Sequence, residues 1–133
     1  MSTLGELMRK ELKQVTAATP VREAAKQMRD ERVGSLFVEK GGRLIGIVTD
    51  TDVVRRAVAD TKDLDRLTVE QIMSSPIATI ESTRAVQDAH DMMGDLGVRH
   101  LGVTEGGQLT GLVSVRDLLL YFQRFSEPKI MQD

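Results

Sequence analysis

Apolar and polar positions alternate along this chain in two registers. Val21, Ala24, Ala25 and Met28 recur at helical spacing, and so do Val86, Ala89, Met93 and Leu96. Each set predicts an amphipathic helix, the first capped by Thr19 with Pro20 setting its first turn. Ser35–Glu39 and Leu44–Thr49 are β-rich runs joined through Lys40-Gly41-Gly42-Arg43, and a second such turn falls at Gly106-Gly107. Gly-Gly between two such runs predicts a hairpin. Short helices are expected near Thr3–Met8 and Thr68–Met73, and extended pieces around Leu12–Thr16 and Ile77–Ile80. Final helices start near Thr51 and near Val115, and the polar stretch Ala59–Leu67 connects the two halves.

The pattern is a duplication. Residues 3–54 align with 68–119 without a gap, at a constant offset of 65, and 15 of the 52 pairs are identical. Chance gives about three at ordinary residue frequencies. The identities include Met8/Met73, Val21/Val86, Met28/Met93, Gly41/Gly106, Gly46/Gly111 and Asp52/Asp117. Each unit therefore reads as an opening helix followed by β-α-β-β-α, an α/β (α+β) arrangement. One copy of roughly 50 residues is marginal alone. Two copies packed together predict a pseudo-two-fold module, with a first repeat at 1–60, a linker at 61–67, a second repeat at 68–125 and a tail at 126–133. Met28, Met92 and Met93 are read as core, since methionine fills irregular gaps.

Composition narrows the classes. At 133 residues the chain needs no disulfide to fold, and with no cysteine it has none, nor thiol chemistry or thiolate metal sites. Eighteen basic and 20 acidic residues leave a net charge of −2, which does not suggest a nucleic-acid partner. The rings Phe37, Tyr121, Phe122 and Phe125 are too few for a base-stacking platform. No apolar run approaches the roughly 20 residues of a membrane span, and the first residues lack a signal pattern. A cytoplasmic location with no membrane partner is the expectation.

Both hairpins end in one pattern: Gly, two apolar residues, Thr or Ser, two residues, Asp. The copies are GIVTDTD, Gly46 to Asp52, and GLVSVRD, Gly111 to Asp117. Thr49 and Ser114 with Asp52 and Asp117 form a capping-box signature, which by itself means only a helix start. The same geometry suits a nucleotide. A helix N-terminus offers N–H donors and positive potential to phosphate, and a nearby carboxylate accepts hydrogen bonds from a ribose diol. The glycine three residues before the hydroxyl leaves room for close approach. Repetition in one register favours the nucleotide.

These residues resemble a tandem pair of CBS (cystathionine-β-synthase) domains, a Bateman module, over about residues 3–125. VGSLFV (Val33–Val38) and VRHLGV (Val98–Val103) also look like that family's second-strand segment. The resemblance implies a regulatory, non-catalytic homodimer that binds AMP, ADP, ATP, S-adenosylmethionine or a dinucleotide such as NAD in clefts between the repeats, signalling to an effector protein. It places Asp117 on a ribose diol and Ser114 on a neighbouring hydroxyl or phosphate, with the base near Val15 and Val33-Gly34-Ser35. The twin cleft takes Thr49 and Asp52, with the base near Thr79, Ile80 and Val98. Arg99 and His100 fall where relatives place phosphate contacts; the plainer reading is a surface charge and a structural histidine. Arg116 precedes Asp117, whereas Thr51 and an extra acid, Asp50, precede Asp52, so the Ser114/Asp117 site is expected to be the better one. Gly102 replaces a proline common in that strand of relatives.

Other chemistry finds little support. His90 and His100 have no carboxylate cluster at metal-ligand spacing, so no metal is expected. His90 falls on the second amphipathic helix, which suits a structural role. No P-loop occurs, and nothing supplies a nucleophile–base pair for an enzyme. Arg55-Arg56 is read as a solvated helix face within reach of phosphate. Leu118 to Phe125 is more apolar than one buried face requires, which suggests a dimer or partner surface. The alternative to a nucleotide sensor is a constitutive dimeric interaction module whose Thr/Ser-x-x-Asp elements are only caps.

Overall fold

The computed structural model describes residues 2–60 and 63–124. Thr61 and Lys62 of the expected linker, Phe125 and the expected tail at 126–133 lie outside them.

Each repeat builds the expected elements. The first holds α1 (Leu4–Leu7), β1 (Gln14–Thr16), α2 (Val21–Glu31), β2 (Ser35–Lys40), β3 (Arg43–Thr49) and α3 (Asp50–Asp52), which runs on into a π-helical stretch, Val53–Val58. The second holds α4 (Val69–Ile72), β4 (Thr79–Glu81), α5 (Val86–Leu96), β5 (His100–Glu105), β6 (Gln108–Ser114) and α6 (Val115–Gln123). The strands form two sheets, β1-β2-β3 and β4-β5-β6. In each, the first pair is parallel and spans a crossover helix, and the second is a hairpin. Gly41-Gly42 and Gly106-Gly107 all take positive φ, the backbone that a two-residue hairpin turn demands.

Two separate cores form. Val21, Ala24, Met28, Leu36, Val38 and Val48 lead one, and Val86, Ala89, Met93, Leu101, Val103 and Val113 the other. Met28 and Met93 are buried, and Met92 packs against the second core. Leu96 does not join its helix's buried face: it occupies the last turn of α5, just before the left-handed cap Gly97, and is exposed.

The compact units do not coincide with the sequence repeats. One joins Met1–Glu11 to Ala78–Asp133, of which residues 2–11 and 78–124 are described; the other is Leu12–Ile77. Each opening helix is thus docked on the strands of the other repeat. In the first unit, Leu4 N donates to Arg84 O at 3.0 Å and Gly5 N to Ser82 O at 2.9 Å. In the second, Val69 N donates to Thr19 O at 2.9 Å and Glu70 N to Ala17 O at 3.2 Å, the equivalent bonds with the two repeats exchanged.

This exchange also corrects the expected cap of α2. Pro20 stands at the N-cap rather than inside the first turn, and Thr19 supplies no side-chain cap; its hydroxyl lies 2.7 Å from that of Thr16. The free N–H groups of Val21 and Arg22 donate instead to the carbonyls of Leu67 and Leu64, at 2.8 and 3.1 Å. Leu64 and Leu67 also pack on the first core, so the polar connection contributes both carbonyls and apolar side chains to this unit.

Candidate functional site

The duplicated turn is where chemistry gathers. β6 ends at Ser114 and α6 begins at Val115, so the Ser114 backbone is extended and its side chain faces the first free N–H groups of the helix. Asp117 N donates to Ser114 Oγ at 3.3 Å, and Ser114 N donates to Asp117 Oδ2 at 2.9 Å. Ser114 Oγ–H donates to the same Oδ2 at 3.0 Å. The first turn repeats the box: Asp52 N donates to Thr49 Oγ1 at 3.1 Å and Thr49 N to Asp52 Oδ2 at 3.0 Å. Both aspartates are buried, which is unusual for a carboxylate unless it is well partnered.

The remaining carboxylate oxygens face arginines. Arg9 Nε donates to Asp117 Oδ1 at 3.1 Å. Arg56 Nε lies 3.7 Å from Asp52 Oδ1, while its Nη1 donates to the carbonyls of Ile72 and Met73 at 3.3 and 3.4 Å. Arg56 is thus more than the solvated face expected of it. Arg9 carried no local signal in the sequence, since it stands 108 residues from its partner.

Arg9 reaches Asp117 because its segment is fixed to β6. Arg9 N donates to Leu112 O and Leu112 N to Arg9 O, both at 2.9 Å. Ser74 and Ile47 exchange the equivalent bonds at 2.9 and 3.0 Å in the other unit. Just before each bridge, Met8 and Met73 cover the motif glycines Gly111 and Gly46. A β-carbon on Gly111 would lie 2.8 Å from Met8 Cγ and 3.0 Å from Arg9 O. The room beside these glycines is therefore filled by the chain's own docked segment rather than held open for a ligand. Gly46→Ala would set a β-carbon 2.7 Å from the backbone oxygen of Ser74, which cannot swing aside. It is expected to cost about 1–3 kcal/mol of stability, read from the urea midpoint.

The other assigned residues divide between the two units. In the Leu12–Ile77 unit, Val15 is buried on β1, Val33 and Gly34 are half-buried in the turn before β2, and Ser35 is buried at its start. Ser35 pairs with Thr49 across the hairpin, and Asp50 N donates to Gly34 O at 2.9 Å. In the other unit Ile80 is buried on β4, Thr79 is exposed and Val98 is half-buried. His100, half-buried, pairs with Ser114, and Val115 N donates to the carbonyl of exposed Arg99 at 2.9 Å. Arg116 is exposed at the start of α6. Each unit by itself thus sets its own motif turn against its own second-strand segment. The base-contact residues that the resemblance assigns to Asp117 belong to the other unit.

Gly102 N donates to Ala78 O at 2.9 Å, a bond that proline at this position could not make. His90 stands apart from the turns. Its ring meets Phe122 edge-on at 6.0 Å, and Nδ1 lies 3.1 Å from Asp91 Oδ1. Hydrogen bonding from His90, and then from Gln87, holds the Asp91 carboxyl below its ordinary range. Among the described residues no group of three or more His, Asp or Glu could hold a metal ion, and no helix is long and apolar enough to cross a membrane.

Comparison with known proteins agrees with the duplication. The family model for the CBS domain matches twice, at residues 4–59 and 69–124. An uncharacterized protein of Methanopyrus kandleri is 32% identical over 119 residues, covering 88% of this chain; the chain spans 61% of that protein's length. Among solved structures, a proposed signal-transduction protein with CBS domains from Burkholderia ambifaria superposes with a TM-score of 0.90 at 27% identity, covering 98% of this chain and all of that one. The hexameric CBS-CP12 protein of bloom-forming cyanobacteria matches with a TM-score of 0.83 at 26% identity, covering 97% of this chain and 77% of that one.

Proposed function

The chain belongs to the CBS domain family, with two copies of the domain, and on that premise we propose that it is a regulatory module that binds an adenine nucleotide and signals to a partner protein. The observation that carries the reading is the motif turn at Ser114 and Asp117. A buried carboxylate, a hydroxyl and the N-terminus of a nine-residue helix meet there, with Arg9 and Arg116 nearby. Carboxylate accepts from a ribose diol, and the helix end and guanidinium groups favour phosphate. The turn at Thr49 and Asp52 has the same hydroxyl and carboxylate, but Asp50 adds a second negative charge beside it. Polyphosphate is therefore expected to prefer the Asp117 turn.

Ligand acts as a regulator only if it binds two states of the chain with different affinity. The signalling description of the Burkholderia relative supports a regulatory role, and the hexameric cyanobacterial relative supports self-association. Leu119 and Leu120 on α6 are exposed, and so are Val54 and Val58 after the first motif. Such apolar positions suit a second copy of the chain.

Thermal shift with AMP, ADP, ATP, S-adenosylmethionine and NAD tests the nucleotide reading. A ligand at 100 times its Kd adds about 2.7 kcal/mol, a rise of roughly 5–15 °C for a chain of this size. One observation favours a second reading, a constitutive interaction module without ligand. Both aspartates already satisfy capping boxes and face arginines. No shift with any of the five, in a chain that still self-associates by light scattering, would establish that second reading instead.

A further inference from the structure

Resting on the ribose reading of Asp117, we propose that Arg9 is a specificity-determining residue of that site: it occupies the carboxylate oxygen that a ribose diol needs, and must leave it for the diol to bind through both hydroxyls.

The inference comes from counting acceptors. An ionised carboxylate offers about four lone-pair positions, two on each oxygen. Asp117 Oδ2 receives Ser114 N at 2.9 Å and Ser114 Oγ–H at 3.0 Å, which fills it. The serine oxygen is in turn tied down as acceptor for Asp117 N at 3.3 Å. Oδ1 receives Arg9 Nε at 3.1 Å, which leaves one position. A vicinal diol brings two O–H donors, so with Arg9 in place only one of them finds an acceptor. A buried hydroxyl left without a partner is costly. The Asp117 side chain is only 9% exposed, so water offers it little further room, whereas Arg9 is 48% exposed and has solvent to move into.

The displacement can be confined to the side chain. The Arg9 backbone is bridged to Leu112 in both directions, and Met8 sits on Gly111, so the guanidinium can swing out while the segment stays docked. The other turn has no such lock. Arg56 Nε stands off from Asp52 Oδ1 at 3.7 Å, held by the carbonyls of Ile72 and Met73. Arg9 and Ser74 are at equivalent positions, so no repeat-encoded arginine faces Asp52 from the docked segment.

The test is the preference for AMP over 2′-deoxy-AMP, measured by calorimetry on the full chain. Both carry the same phosphate, so any loss of phosphate attraction cancels in the ratio of their Kd values; only AMP has the diol. Arg9→Met keeps the aliphatic stem against β6 while removing the guanidinium. It is expected to raise the preference for AMP about three-fold, the scale of a part-exposed ion pair. Arg9→Lys, which keeps the charge, is expected to fall between. An unchanged or smaller preference in Arg9→Met, with AMP binding still lost in Asp117→Asn, overturns the role of Arg9 and leaves the ribose reading standing. AMP binding that is absent from the native chain and from Arg9→Met, or indifferent to Asp117→Asn, removes the ribose reading and this proposal with it.

Discussion

Asp117→Asn is expected to weaken AMP binding by more than about 100-fold, since the two hydrogen bonds that a ribose diol donates to the charged acceptor are each worth roughly 1.5–3 kcal/mol. Asparagine is the informative replacement. Its amide oxygen still accepts from Ser114 N, so both halves of the capping box survive, whereas alanine would leave Ser114 N without its partner and cost about 1–3 kcal/mol of stability as well. What asparagine loses is the second acceptor oxygen, because the amide NH₂ can only donate. Asp52→Asn serves as the internal comparison. Asp50 already disfavours phosphate beside that turn, so its effect on AMP binding is expected to be several-fold smaller. Calorimetry on the two variants reads both affinity and stoichiometry. The reverse ranking, with Asp52→Asn the damaging change, would move the nucleotide to the first turn and leave Asp117 as a cap.

The motif turns were legible because everything that makes them is local. Hydroxyl, two residues and aspartate close a capping box within one helical turn, and the duplication marks it out from an isolated cap. The hairpins were legible for the same reason: Gly-Gly with positive φ is a two-residue signal. Where partners are distant in sequence, the reading stopped. Nothing near Arg9 announces Asp117, and nothing near Val21 announces that the carbonyls of Leu64 and Leu67 will meet its helix in place of a Thr19 cap. Leu96 shows a different limit. Apolar periodicity placed it on the buried face of α5, but the helix outruns its core and its last turn is left exposed. The motif glycines are expected to leave room for a ligand, but the space beside them is taken by Met8 and Met73, which come from the other repeat and carry no local signal.

The docked opening segment leads to the second large effect. Leu4 lies at the very start of the chain, where residues are commonly loose and replaceable. Yet its side chain is 0% exposed and belongs to the core built by Ile80, Val86, Leu101, Val103 and Val113. Leu4→Ala is therefore expected to cost about 2–5 kcal/mol, as for a leucine deep in any core. Its counterpart Val69, also 0% exposed, anchors the equivalent helix in the other unit. Val69→Ala removes fewer carbons and is expected to cost less. Urea unfolding of the two variants separates this account from the alternative that residues 2–11 are a dispensable lead-in. A Leu4→Ala midpoint within error of the native chain would show that the segment adds nothing to the unit. The expected loss would show instead that the unit carrying Asp117 is incomplete without the first residues of the chain, so that a truncation made to trim a loose N-terminus would remove Arg9, unseat Met8 and open the core beneath the candidate site together.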